Sequence, residues 1–594
     1  MQRRDRIRRM RARMSEAGFG APDDDASFAT SGHPIAPPSH WATERDAIEA
    51  QLGTERLRDL RPGHWLDRVK DELGDDGDFE RREVLPEHLN RDQRFLFNVL
   101  KQFDDDRRAN SAAPPCRIIV PGFGGVGKSF TLGAFVHHLI STRGCKVGDE
   151  ILVCAYTGLA ALLVGGTTAH RTFTLPIGTS FADLADSAKI TELREKLCKA
   201  QWLFVDERSM LGLRVFGMMQ KRINQANDGP DFPFRNLHIC MFGDNGQLPP
   251  VGDLPLYASS QSMNECVVAG RAAYATFDSC VPLTQNVRAA ADPVHKNAMA
   301  RLHDAETTLA DWQLFKTRSL HSANANMAPV EKQLFLNDTP YLFSSNAEAN
   351  AHNEAKLATL GAPIAHFVAK STGRDAAIRD HPWKGGGMFK DLYLGKGARA
   401  MLRRNIWISK GLVNGSLGRV ISIVFERDEP NAGSGVLPVG VVCSFDKYTG
   451  PPFLADHPRS VFVPVVTAVY DENDDVYTRT QVPLIPAWAV TIHKSQGMTI
   501  GATSNIAQRC VIDIGNREVG SGMSYVAFSR AMTTRDYAVR FPIFTLQRIT
   551  RIKTHKQFKS RVREDSRLRT MATVTRARFA SLVPPASYIP VPFP

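Results

Sequence analysis

The sequence predicts an α/β protein of two units, each a parallel sheet covered by helices, with a small antiparallel β-barrel inserted in the second. Three observations predict it. From about residue 86, short apolar runs alternate with stretches of helical spacing, as in strands joined by crossover helices. One such junction, Gly122-Phe123-Gly124-Gly125-Val126-Gly127-Lys128-Ser129, fits the phosphate-loop pattern between a strand and a helix. Between 418 and 485 the pattern changes to short β-branched runs split by Gly, Pro, Asn and Asp, which suits a small antiparallel barrel.

In chain order, residues 1–85 are polar, with Pro/Ser and acidic patches, and read as a basic, partly disordered extension carrying some short helices. Residues 86–280 form the first unit, with strands expected at 117–120, 151–155, 202–205 and 238–242. The second unit takes 281–417 and 486–545, with strands expected at 341–343, 398–402 and 510–514. The barrel takes 418–485, with strands at 420–425, 439–445, 461–469 and 476–482. Residues 546–594 read as a basic tail with a Pro-rich end.

Composition narrows the function classes. The chain has 594 residues, 43% hydrophobic, and a formal charge of +12. The excess is terminal: residues 1–14 carry +6 and residues 548–569 carry +7, leaving the body near neutral. Basic ends fit either a polyanion partner, whose counterions Lys and Arg displace, or solvated tails. The nine cysteines form no C-x-x-C pair, so zinc, iron–sulfur and disulfide frameworks get little support and a reducing compartment is expected. No run of 18 apolar residues exists, so no membrane helix is expected. Ile7, Met10 and Met14 share a helical face among arginines, compatible with a mitochondrial transit peptide, while Asp5 and Asp23-Asp24-Asp25 argue against one. The expected location is nucleus or mitochondrion in a eukaryote and intracellular otherwise.

The chemistry starts at the phosphate loop. Gly122, Gly124, Gly125 and Gly127, with Val126, let successive backbone N–H groups point at a triphosphate. Lys128 is placed for the β- and γ-phosphates, the Ser129 hydroxyl for Mg²⁺, and Phe130 follows at the start of the helix. Downstream, an apolar strand ends in Asp206-Glu207: Asp206 is the second Mg²⁺ candidate, and Glu207 the group to take a proton from an attacking water. A further strand leads to Gln247, whose amide offers both donor and acceptor to a γ-phosphate. Arg288 and Arg530, beyond the first unit, are candidates for the positive charge that phosphoryl transfer needs.

With these residues in hand, the chain resembles the superfamily 1 helicases of the Pif (petite integration frequency) type, of the 1B, RecD-like branch. Ala487 to Thr499 and Gly411 to Ser416 resemble the family's motif V and the stretch before its barrel; Gly243 to Val251 resembles motif III; Tyr525 to Arg530 resembles motif VI. Thr157 to Ala161 with Gly165 to His170 resembles the motif Ia region, and Gln93 falls where the family's adenine-reading glutamine stands. The resemblance runs from about 86 to 540, in the family's order. Arg208 stands where Ile or Val is usual and Asn245 where Phe is common. The resemblance implies two tandem RecA-like domains clamping ATP and Mg²⁺, a small wedge near 167–190, and 5′-to-3′ movement on single-stranded DNA with unwinding of duplex junctions. Thr157, His170, Thr491, His493, Lys494 and Ser495 match positions on or near the strand's track. Roles in replication, recombination, repair or telomere maintenance, and a monomer in solution, are implied with it. The alternatives are an ATPase that translocates without unwinding and an RNA-directed helicase.

Overall fold

The computed structural model describes residues 35–73, 83–176, 181–185, 187–227, 233–259, 262–287, 292–320, 327–337, 339–372, 388–472, 475–501, 507–540 and 545–593. Its first sheet has six parallel strands in the order Thr167–Thr168, Ile151–Ala155, Trp202–Asp206, His238–Gly243, Arg117–Pro121 and Ser279–Cys280. The strands alternate strictly. Ile119, Leu203, Val205, Ile239 and Met241 join one hydrophobic cluster, while Ile118, Val120, Trp202, Phe204, Cys240 and Phe242 join the other. Both faces are therefore covered, which is why these strands read as continuous apolar runs. Because all the strands run one way, their carboxyl ends share one edge, and the phosphate loop, Asp206-Glu207 and the turn after Gly243 leave from it.

A second, four-stranded parallel sheet runs Ala489–Thr491, Tyr341–Phe343, Cys510–Asp513, Tyr537–Val539. The strand expected near 398–402 is absent from it. Arg399–Leu402 instead pairs antiparallel with Leu417–Val424 and with Leu484–Pro486. Two parallel sheets, RecA-like in their arrangement, are thus joined by mostly antiparallel material that begins well before residue 418. This material is a five-stranded sheet (Ser460–Pro464, Gly440–Phe445, Leu417–Val424, Arg399–Leu402, Leu484–Pro486) with two three-stranded sheets beside it. The described strands of the region expected as a small antiparallel barrel lie in these sheets.

The expected N-terminal extension contains built structure. Helices Pro38–Leu52 and His64–Leu73 bury Trp41, Ile48, Leu52, Trp65 and Val69 in the same cluster as the five-stranded sheet. Trp41 lies against Phe425 and Trp65 against Phe453. Each large side chain removed from water is worth about 1.5–3 kcal/mol, so this region is held by packing despite its polar average. Residues 1–34, including the arginine-rich stretch, lie outside the described residues.

The expected basic tail is likewise structured. Lys556–Arg578 is a helix that buries Arg561, Glu564, Leu568 and Thr575. The Thr575 hydroxyl accepts the Cys280 N–H (2.9 Å), which fastens this helix to the edge strand of the first sheet. Among the described residues no helix is long and apolar enough to cross a membrane.

Candidate active site

The phosphate loop folds as its glycines require. Gly125 and Gly127 have φ of +90° and +78°, in the left-handed region that a side chain disfavours. At Gly127 a Cβ would also lie 2.3 Å from the Gln93 amide nitrogen. The helix Lys128–Arg143 starts directly at the loop and stops at Gly144, also left-handed, whose N–H returns to Ile140. Its positive dipole end faces the loop. Lys128 Nζ donates to the carbonyls of Gly122 (2.8 Å) and Phe123 (3.0 Å), so it lies along the loop it is meant to serve. Gln93 forms a capping box with Asn90, accepting its N–H (2.9 Å), and Gln93 Nε2 donates to the Val126 carbonyl (3.0 Å).

Ser129 Oγ donates to Asp206 Oδ2 at 3.0 Å. A hydroxyl beside a carboxylate is the oxygen donor set that Mg²⁺ takes, with phosphate oxygens and water completing its shell. Burial, together with the neighbouring Glu207 charge, pushes the Asp206 carboxyl up to about 6. Glu207 has φ +49°, unusual for a side chain of its kind. Its carboxylate accepts from Gln496 Nε2 (3.4 Å), which also reaches Ser209 (3.2 Å). Gln247 Oε1 and Gln496 Oε1 are buried acceptors without a partner among the described residues. The residues present therefore fit a magnesium nucleotide.

The two units meet around Asp244, at the start of the turn that carries Gln247. Gly124 N–H, within the phosphate loop, donates to the Tyr525 hydroxyl (3.1 Å), and that hydroxyl donates to Asp244 Oδ2 (3.0 Å). His303 Nε2 donates to Asp244 Oδ1 (2.8 Å), and its ring stands edge-on to Phe123 (4.4 Å between centroids). Burial raises the cost of the Asp244 charge, but the His303 charge and hydrogen bond outweigh it and hold the carboxyl well below the usual range. Burial likewise disfavours charge on His303, and Asp244 with Asp304 outweighs it, so the ring's pKa is raised. Tyr525 and His303 come from the second unit, and Gly124 and Asp244 from the first. The sequence alone assigns no role to Tyr525, His303, Asp244 or Gln496. The signal available was that Tyr525 opens the motif VI stretch, Asp244 lies in motif III and Gln496 in motif V.

The arginine candidates differ in outcome. Arg288 lies outside the described residues. The segment just before it is described: Val287 N–H donates to the Gly125 carbonyl (3.0 Å) and Asn286 Nδ2 to the Gly124 carbonyl (3.1 Å), which brings the start of the second unit onto the phosphate loop. Arg530 is almost fully buried, and its guanidinium donates to the carbonyls of Val526 and Met498 and to Ser529 Oγ, all in its own unit. Burial pulls its pKa down, while Glu207, Tyr525 and Asp244 pull the other way. It therefore sits in the field of the cleft with its donors turned inward, where a finger extended to the phosphates was expected.

The DNA-track candidates divide too. Thr157 caps the helix Gly158–Leu163, where Gly158 closely approaches Asn405 of the second unit. His170 stands edge-on to Tyr156. Burial lowers the pKa of both His170 and His493, which favours the neutral ring in each. Lys494 N–H bonds back to Thr491, which is buried. Ser495 corrects the expectation: it is fully buried and its hydroxyl donates to the Ile492 carbonyl (2.8 Å), so it presents nothing to a strand. Of the expected wedge, Thr167–Thr168 is the edge strand of the first sheet and residues 177–180 lie outside the described set.

Arg208 and Asn245, two positions where the sequence departs from the pattern it resembles, share a neighbour. Asn245 Nδ2 donates to Asp565 (2.8 Å). The buried Arg208 reaches the Tyr274 hydroxyl (3.4 Å), which itself donates to Glu564 (2.8 Å). Both residues thus face the helix Lys556–Arg578.

A family model described as PIF1-like helicase matches residues 88–318. The ATP-dependent DNA helicase PIF1 of Xenopus laevis is 28% identical over 425 residues, covering 70% of this chain and 57% of that protein. The protein of the same name from Homo sapiens is 27% identical over 431 residues, covering 71% and 58%. The chain thus spans less than two thirds of the length of these relatives. Among solved structures, Pif1 helicase from Candida albicans aligns with TM-score 0.55 and 21% identity, over 77% of this chain and 95% of that one. Bacteroides Pif1 bound to single-stranded DNA aligns with TM-score 0.53 and 21% identity, over 78% and 93%. At these identities the structural likeness speaks for the fold.

Proposed function

We propose that this chain, which is similar to PIF1-like helicases, is a member of that family and an ATP-driven DNA helicase that moves 5′-to-3′ on single-stranded DNA. The observation that carries the reading is the convergence of both units on one phosphate loop: Tyr525 on Gly124, Gln496 on Glu207, and the segment before Arg288 on Gly125. A nucleotide held there touches side chains from two bodies, so its cleavage can alter how they sit.

In this reading Lys128 leaves its two loop carbonyls for the β- and γ-phosphate oxygens, and Gln93 faces the base. Ser129 and Asp206 hold Mg²⁺, which when bound offsets charge on the transferring phosphoryl group. Glu207 takes the proton of the attacking water, held by Gln496, while Gln247 orients the γ-phosphate side. Arg288 and Arg530 supply positive charge as the cleft closes, Arg530 by exchanging its backbone acceptors for phosphate oxygens. Thr157, His170, Thr491, His493 and Lys494 line the strand's track and bind its phosphates without regard to sequence. Similarity to helicases named as DNA-directed favours DNA over RNA.

The test is unwinding of duplexes carrying either a 5′ or a 3′ single-stranded overhang, with hydrolysis measured with and without single-stranded DNA. Unwinding from the 5′ overhang with DNA-stimulated hydrolysis is expected. Stimulated hydrolysis without unwinding would leave a translocase, and unstimulated hydrolysis would defeat the proposal.

A further inference from the structure

The segment after the C-terminal helix returns to the nucleotide side of the phosphate loop. Leu582, Val583 and Phe593 pack against the cluster containing Leu89, Leu96 and Val126. Its polar contacts all fall on the turn and helix that carry Gln93. Asn98 Nδ2 donates to the Leu582 carbonyl (3.0 Å), and Arg91 Nε to the Pro584 carbonyl (3.1 Å). The Tyr588 hydroxyl donates to the Leu89 carbonyl (2.9 Å), and Val591 N–H to the Glu87 carbonyl (2.9 Å). Phe593 stands edge-on between Phe130, two residues into the helix after Lys128, and His88 (5.1 and 5.3 Å between centroids). Pro584, Pro585, Pro590 and Pro592 reduce the freedom this segment loses on docking.

Gln93 is the residue so enclosed. Its amide spends one lone pair on Asn90 and one N–H on the Val126 carbonyl, fixing the amide plane against the loop. One N–H and one lone pair remain. That remaining pair matches the adjacent acceptor and donor on the edge of adenine, and is mismatched to guanine, which shows two acceptors there. The orientation of Gln93 depends on the position of residues 87–98 relative to the loop, and Leu582–Phe593 contacts five residues of that stretch: Glu87, His88, Leu89, Arg91 and Asn98.

We propose that Leu582–Phe593 is a positioning strap for the base side of the nucleotide site, through which Tyr588 and Phe593 set affinity and preference for an adenine nucleoside triphosphate. It rests on the nucleotide-site reading above. Its hydrogen bonds and ring contacts to the rest of the unit fall on residues 87–98 and Phe130 rather than on Lys128 or Ser129, so the strap acts on the base side and leaves the phosphate subsite alone.

The experiment uses the full chain with Tyr588→Phe, Phe593→Ala, both together, and Phe593→Trp. Steady-state hydrolysis is measured with ATP and with GTP, and inhibition with inorganic tripolyphosphate as a base-free probe. The double variant is expected to raise KM for ATP about tenfold, leave kcat within about twofold by the ground-state-binding pattern, and narrow the ATP-over-GTP ratio. Tripolyphosphate inhibition is expected to stay unchanged, and Phe593→Trp to retain parental values. An unchanged or lowered KM would overturn the proposal, the latter marking the segment as a cover over the site. Parallel weakening of ATP and tripolyphosphate would overturn it as well, by showing a general loosening of the loop. Failure of the nucleotide-site reading is seen separately, as absence of hydrolysis in the parent protein.

Discussion

Replacing Tyr525 by Phe removes one oxygen and keeps the ring against His303, which makes it a sharp probe of how the two units are joined. The hydroxyl accepts Gly124 N–H at 3.1 Å and donates to the Asp244 carboxylate at 3.0 Å, in a fully buried position. A hydrogen bond to a charged group contributes about 1.5–3 kcal/mol and a neutral one about 1. Asp244 retains His303 and the Gly246 N–H, which softens the loss. A net weakening of about 2–3 kcal/mol is expected, or about 30- to 150-fold in the equilibrium between joined and separated units. The assay is amide hydrogen exchange of the phosphate-loop peptide without nucleotide, where protection should fall by that factor. A double-mutant cycle with Asp244→Asn should return a coupling above about 1 kcal/mol. Protection unchanged within about twofold, with no coupling, would show that the bridge does not hold the units together.

Lys128→Ala should abolish hydrolysis while single-stranded DNA binding, measured by fluorescence anisotropy, is largely kept; retained turnover would refute the loop's assignment. Arg530→Ala should lower turnover by about 10³-fold if the guanidinium reaches the phosphates on closure; a loss under about tenfold in kcat would leave it a structural residue bonding Val526 and Met498. The raised pKa of His303 means that its pairing contributes stability below the unfolded value of about 6.5, lost as pH rises through the folded value. The depressed Asp244 contributes above the ordinary carboxylate range, lost as pH falls through its folded value. The urea midpoint should therefore decline as pH rises above about 6.5 in the parent, and His303→Gln should flatten that decline.

Local pattern determined a large share of this protein. Strands such as Ile151–Ala155 and Trp202–Asp206 are covered on both faces, so nearly every residue is apolar and the run stands out. The phosphate loop and the acids at Asp206-Glu207 are legible for a related reason: glycine geometry and a carboxylate at a strand end are short-range requirements, confined to a few consecutive residues. The packing of the helices at Pro38–Leu52 and Lys556–Arg578 is hidden from the sequence because their buried residues are few among many charges, and their partners lie hundreds of residues away. Arg399–Leu402 reads alike as a parallel or an antiparallel strand, and only its neighbours decide which. The joining of Gly124, Asp244, His303 and Tyr525 depends on how two sheets face each other, and the inward turn of Arg530 and Ser495 on which acceptors lie nearest once packed. The sequence carries the local conformations and the chemical types; which groups meet is set by long-range packing, because the distances that decide it separate residues remote along the chain.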